Sequence, residues 1–166
     1  MKKHTMAAAV FVLLAVLAVA QSLSFLVGPG DPLNPGEGGT AGESTVLLIV
    51  QLFTITVLVV TFLGASMAMP RIADWALSIP NKEYWLGPER RQETMDYVVR
   101  WLLWFGSLNL LLMLMIFRQA HLSRLGQADP AGMWVVMAAY VAGSIVFTVR
   151  LLIRFSVPPA PGSSPP

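Results

Sequence analysis

The chain has no cysteine. That excludes disulfides, thiolate metal sites, iron–sulfur clusters and cysteine nucleophiles. Charge is also scarce. Asp, Glu, Lys and Arg make up 12% of 166 residues, against about a quarter in soluble domains. A soluble fold of this length has too much surface for so few charges. Histidine is limited to His4 and His121, far apart and expected on opposite sides of a membrane, so a paired-His metal site or a bis-histidine haem within one chain is not expected. H-E-x-x-H, G-x-S-x-G and a phosphate-binding glycine loop are all missing. The reading is a non-enzyme with no cofactor: no metal, haem or nucleotide. Met67, Met69, Met113 and Met115 are ordinary residues for apolar spans rather than a copper site.

Long apolar runs are what the chain has in excess. They cover about residues 7–27, 45–69, 97–117 and 133–149, the last continuing to 155. Each approaches or exceeds the roughly 20 residues that cross a bilayer as helix. The expected fold is an all-α membrane protein with four transmembrane helices in one domain, residues 1–156, followed by a disordered Pro/Ser-rich tail at 157–166. The remaining loops are too short to fold alone. A net charge of +2 is too small to point to nucleic acid, and the basic residues are better explained by topology.

Lys and Arg placement sets the orientation. Lys2, Lys3, Arg71, Lys82, Arg90, Arg91, Arg100, Arg150 and Arg154 fall on one side, and Arg118 and Arg124 on the other. Both termini and the second loop are therefore expected in the cytoplasm, with the protein in the bacterial inner membrane. The first run has a competing reading. Lys2 and Lys3 resemble a signal-peptide n-region, and Ala18-Val19-Ala20 before Gln21 resembles a cleavage site. Because the apolar run resumes at Leu23, an uncleaved anchor is the preferred reading.

The first loop, about residues 28–44, is dominated by glycine and proline and reads as an external linker. Its acids Asp31, Glu37 and Glu43 match no calcium-loop spacing. The second loop, residues 70–96, is charged and aromatic. Ile72, Trp75, Ala76 and Ile79 recur at i, i+3, i+4 and i+7, which predicts a short amphipathic helix lying in the headgroup layer with Trp75 as its anchor. Asn81 is placed to cap a turn through Leu86. Pro88 and Glu89 suit a helix start that runs into the third span. Along that helix Arg90 with Glu93, and Asp96 with Arg100, are spaced for ion pairs. Trp75, Trp85, Tyr97, Trp101, Trp104 and Trp134 fall where interface belts are expected.

Polar residues within the later spans include Gln51, Thr54, Thr56 and Thr61 in the second, Ser107 and Asn109 in the third, and Ser144 and Thr148 in the fourth. None is ionisable at mid-depth, since Arg150 and Arg154 lie near the inner end and can snorkel, whereas a proton-coupled transporter uses a buried acid or histidine. Gln51 and Asn109 are read as intramembrane polar contacts that hydrogen-bond between helices. Gly64 with Ala68, Ala138 with Ala142 and Ala139 with Gly143 form small-xxx-small pairs for packing within the bundle or at a seam between copies.

The stretch Ile79-Pro80-Asn81-Lys82-Glu83-Tyr84-Trp85-Leu86-Gly87-Pro88-Glu89-Arg90-Arg91, with Glu93-Thr94 and Trp101-Leu102-Leu103-Trp104-Phe105-Gly106, resembles a cytoplasmic loop and following span in an uncharacterised bacterial membrane-protein family related to the Sdp-type immunity proteins. Those proteins carry a similar P-N-[KR]-E-Y-W-L-x-P-E-R-R segment. The resemblance covers residues 79–106. Their external loop carries Pro, His-Phe and Gly-x-Pro-Asp elements, which the Gly/Pro linker here lacks. It implies a bacterial inner-membrane location and carries no catalytic residue.

The functional reading is a non-enzymatic accessory or interaction subunit of a membrane complex. Its partners would be the lipid bilayer and other membrane proteins or further copies of itself, with no nucleic acid. Tyr84, Trp85, Glu89, Arg90 and Arg91 are the candidate partner-binding residues, because aromatics beside arginines have the composition of interface anchors. An immunity or signal-transducing protein is the alternative, and a small transporter a second one. The topology has a direct test. A reporter fused at Glu89 should read cytoplasmic and one at Gly39 external; an external signal at Glu89 refutes the orientation.

Overall fold

The structure is a computed structural model that describes residues 4–24, 41–124, 126–127 and 129–156, with backbone alone for 41–44 and 124. The first-loop linker with its three acids and the C-terminal tail lie outside the described side chains. The described residues form helices and turns, without a strand.

Four long helices follow the four apolar runs: α1 (Thr5–Ser24), α2 (Ala41–Ala68), α4 (Arg91–Arg124) and α5 (Pro130–Ser156). Between α2 and α4 lies a one-turn helix, α3 (Lys82–Trp85). Each long helix is apolar and long enough to cross a membrane, so the chain is an all-α, multi-pass membrane protein by architecture. With its 34 residues, α4 measures about 50 Å, well beyond a hydrocarbon core of about 30 Å. It therefore extends past the span expected from hydropathy at both ends.

The long helices start and stop where their sequences dictate. At the end of α4, Gly126 adopts φ +68°. Its N–H donates to Ser123 O at 3.1 Å, and that of Gln127 to Leu122 O at 2.9 Å. This is the left-handed closure that glycine allows at no steric cost. Asp129 then caps α5: its Oδ1 accepts from the Gly132 N–H at 3.0 Å. Pro130, without an N–H of its own, occupies the first helical position.

The central helix is α4. It packs on α1 and α2 along one face and on α5 along another, whereas among the described residues α5 has α4 as its one extensive helical neighbour. The core is formed by Ala7, Phe11 and Ala18 of α1, Ile55 of α2, and Leu103, Leu110 and Leu114 of α4. Its tightest point is Gly106. A Cβ there would lie 2.7 Å from the Phe11 ring and 2.7 Å from Phe62. Phe11 and Phe62 meet edge to face at 6.3 Å, and Phe62 meets Phe105 at 6.1 Å. Lipid is as apolar as these side chains, so close packing rather than water exclusion holds the helices together. The small-xxx-small pairs contribute little to it. Gly64, Ala68, Ala138, Ala139 and Ala142 are exposed; Gly143 approaches a neighbour, with its added Cβ at 3.5 Å from Leu108.

The expected amphipathic helix does not form. Residues 69–79 make two short 3-10 turns, Met69–Arg71 and Asp74–Ala76, joined through extended backbone at Ile72 and Ala73. Ile72, Trp75, Ala76 and Ile79 therefore share no helical face, and Trp75 is 83% exposed. Proline at 70 and 80 brackets a stretch too short to nucleate a helix on its own.

Gly106→Ala should destabilise the bundle by about 1–3 kcal/mol, the usual penalty of overpacking. Graded SDS unfolding in mixed micelles measures it; an unchanged midpoint would show that α1, α2 and α4 do not meet this closely.

Candidate functional site

Polar and aromatic chemistry concentrates where α1 begins, α2 ends, α4 begins and α5 ends, here termed the loop end. His4 at the start of α1 lies 3.0 Å from Asp96 of α4 through Nε2. The same carboxylate accepts from Gln92 Nε2 at 3.1 Å. The intrahelical pairs expected of Asp96 with Arg100 and of Arg90 with Glu93 are not among the ion pairs of the described residues. Asp96 is drawn across to α1, and Glu93 to Arg154 at 3.8 Å.

The second loop is fastened to the end of α5. Asn81 adopts a left-handed conformation (φ 52°, ψ 42°), which asparagine tolerates better than most residues. It does not cap α3 with its side chain. Instead Nδ2 donates to Phe155 O at 3.3 Å and to Ser156 O at 3.1 Å. Trp85 is buried, 5% exposed, and its Nε1 donates to Phe155 O at 3.1 Å. Its ring meets Phe155 edge to face at 5.5 Å. Thr94 Oγ1 donates to Trp85 O at 2.8 Å and so secures the same residue from α4. Two of the last carbonyls of α5, which have no partner within the helix, are thereby met by the loop.

Each residue singled out for partner binding has a definite place in this arrangement. Tyr84 is half-buried and stacks edge to face on Trp85 at 5.0 Å. Arg90 lies over the Tyr84 ring, 4.0 Å from its centroid. Arg91 holds the end of the α2 connection: Nε donates to Asp74 Oδ1 at 2.9 Å, Nη1 to Pro70 O at 3.3 Å and Nη2 to Ile72 O at 3.0 Å. Glu89 is exposed. Tyr84, Trp85 and Arg90 are thus brought together, Arg91 faces the opposite connection, and Glu89 points to the surroundings. Trp85, with its ring buried and its N–H bonded, is turned inward rather than presented to an outside surface.

Sequence reasoning missed Arg154. Its guanidinium sits between two aromatic rings, 5.1 Å from the Trp85 centroid and 5.4 Å from that of Tyr97. It was legible only as a basic residue near a helix end. The aromatic partners come from the loop and from α4, about 60–70 residues away in sequence.

Inside the bundle, Asn109 Oδ1 accepts from the Tyr140 hydroxyl of α5 at 3.1 Å, while its Nδ2 donates to Phe105 O within α4 at 2.8 Å. Gln51 is 1% exposed, and neither its Oε1 nor its Nε2 has a hydrogen-bond partner among the described residues. The interhelical bond expected of it is instead made by Gln21, whose Nε2 donates to Leu114 O at 3.2 Å. Two apolar clefts open toward the membrane. One, of about 200 Å³, lies between α4 and α5 beside Trp101 and Phe147. The other, of about 570 Å³, lies between α1 and α2. Neither holds the convergent polar groups of a small-molecule site. Comparison with protein-family models, with curated proteins and with solved structures finds no match.

Removing the clasp should free the end of α5. Asn81→Asp places a carboxylate against two carbonyls and should lower stability more than Asn81→Gly, which loses the bonds but keeps the backbone at ease. Trp85→Phe loses one donor, about 1 kcal/mol. Amide exchange over residues 150–156 should rise in the order Trp85→Phe, Asn81→Gly, Asn81→Asp. Uniform exchange across the set would show that the loop does not hold α5.

Proposed function

We propose that the chain is a non-enzymatic interaction subunit of a membrane complex, placed in the bacterial inner membrane with the loop end and both termini in the cytoplasm. One observation carries the reading. Across the most apolar stretch of α5 no residue is buried, yet its C-terminal end is fixed by three side-chain hydrogen bonds from the loop. A helix held in position while most of its face stays open presents that face in the plane of the membrane. Ala138 and Ala142 are exposed on it and permit another helix backbone to come close.

The sequence supports the non-enzymatic part through its lack of cysteine and of recognisable catalytic motifs. The placement of Lys and Arg supports the orientation. The resemblance over residues 79–106 adds a reading of its own. Asn81, Trp85, Arg91 and Thr94, all within that stretch, make the contacts that fasten the loop. What the resemblance would carry over is therefore a way of securing the last helix rather than an activity, which places the immunity or signal-transducing reading second.

The test is the state of the full-length chain extracted in mild detergent. It should run as a complex with another membrane protein or with further copies of itself. Ala138→Trp with Ala142→Trp should release it as a single chain, with its helix content unchanged by circular dichroism. A chain that is single before any substitution refutes the interaction reading.

A further inference from the structure

Four basic side chains of the loop region and α5 differ in how they use their donors. Arg91 donates to one carboxylate and two carbonyls. The guanidinium groups of Arg90 and Arg154 donate no hydrogen bond to any described residue. Each is instead held by aromatic rings: Arg90 by Tyr84 at 4.0 Å, and Arg154 by Trp85 and Tyr97 at 5.1 and 5.4 Å. Arg150 is exposed and has no aromatic contact among the described residues. A guanidinium held over aromatic rings rather than by hydrogen bonds keeps its N–H donors available. That is the arrangement in which arginine binds phosphate oxygens with little loss of side-chain freedom.

Both stacked arginines line one small cleft, together with Trp85, Glu93, Thr94, Tyr97 and Phe155. Its volume is about 20 Å³, room for one water or one oxygen atom. A ligand would thus insert a single oxygen and keep the rest of its bulk outside. The cleft's charges are those of Arg90, Arg154 and Glu93, a local balance of one positive charge. Glu93 does not satisfy Arg154. It stands 3.8 Å away, beyond hydrogen-bond reach, and its side chain is 61% exposed.

We infer that this cleft binds the phosphodiester of an anionic glycerophospholipid, with Arg90 and Arg154 as the anion-binding pair. Position selects the lipid over other anions. Arg154 lies in the last turn of α5, directly after Leu152 and Ile153, which are 53% and 63% exposed on the membrane face. Trp85 and Tyr97, the residue types of membrane interfaces, form its walls. A helix end at this depth meets the phosphate layer of the bilayer. Charge selects the headgroup: one phosphodiester neutralises the local excess, and a zwitterionic lipid would leave it in place. The inference is independent of whether α5 also docks a protein.

Native mass spectrometry of the full-length protein titrated with phosphatidylglycerol or phosphatidylethanolamine tests it. Phosphatidylglycerol should bind as one resolved adduct. Arg154→Gln and Arg90→Gln should each weaken that adduct about tenfold. Arg154→Lys should weaken it nearly as much, because it keeps the charge and loses the planar fork. Arg150→Gln, one turn away on the same helix, should leave it unchanged. Glu93→Gln should strengthen it about threefold, a gain that misfolding cannot produce. Equal losses from Arg150→Gln and Arg154→Gln would reduce the effect to diffuse surface charge and overturn the site. Equal binding of phosphatidylethanolamine, weakened by Glu93→Gln, would overturn the choice of an anionic headgroup. Displacement of the lipid by inorganic phosphate at millimolar concentration would show a free-anion site and overturn the lipid.

Discussion

An α-helix leaves its last carbonyls without partners, and near a hydrocarbon layer water is not freely at hand to meet them. In α5 two of these carbonyls, those of Phe155 and Ser156, accept from Asn81 and Trp85. Much of the loop end follows from that constraint. Asn81 must take a left-handed backbone to aim its amide at the helix end. Trp85 must be buried to bring its N–H to the same carbonyl, and burying it requires Tyr84, Phe155 and Thr94 around it. The buried indole then supplies one of the two rings on which Arg154 rests. A requirement for two or three hydrogen bonds thus accounts for a dense set of aromatic and basic residues in one short connection.

The transmembrane part obeys a different rule. Solvent does not press these helices together, so contact depends on shape. Gly106 lets the rings of Phe11 and Phe62 reach the backbone of α4, and Ala7 and Ala18 keep α1 thin along its packed face. By comparison α5 is joined to α4 by a few aromatic contacts, such as Trp101 on Phe147 at 4.6 Å, and by the single bond of Tyr140 to Asn109. The bundle is therefore a packed trio of α1, α2 and α4 with a fourth helix hung on it and secured at one end. Gln51 is buried within the trio and has no hydrogen-bond partner among the described residues.

The spans were legible in the sequence because hydropathy over about 20 residues is a strong, local signal. Their caps were less so: Gly126 and Asp129 carry local chemistry that a hydropathy reading passes over. The amphipathic helix failed for a local reason. Four residues at helical spacing are weak support for a helix when prolines stand at 70 and 80. The side-chain network was hidden for a non-local one. Asp96 had a suitable partner on its own helix in Arg100, yet it pairs with His4 from α1. Asn81 was recognised as a capping residue, but the helix end that it meets is some seventy positions away in the chain. Spacing along one element cannot rank such partners, because the competing group belongs to another element. The basic and aromatic character of the second loop was visible; the inward direction of Trp85 was not.

The length of α4 also constrains how the protein sits in a membrane. About 50 Å of continuous helix cannot be contained within a hydrocarbon layer of about 30 Å. It must tilt, or carry its ends into the aqueous layers. Because α1, α2 and α5 all pack on α4, they tilt with it. Hydrophobic mismatch is therefore met by one inclination of the whole bundle rather than by each helix alone, at a free-energy cost that grows with each ångström.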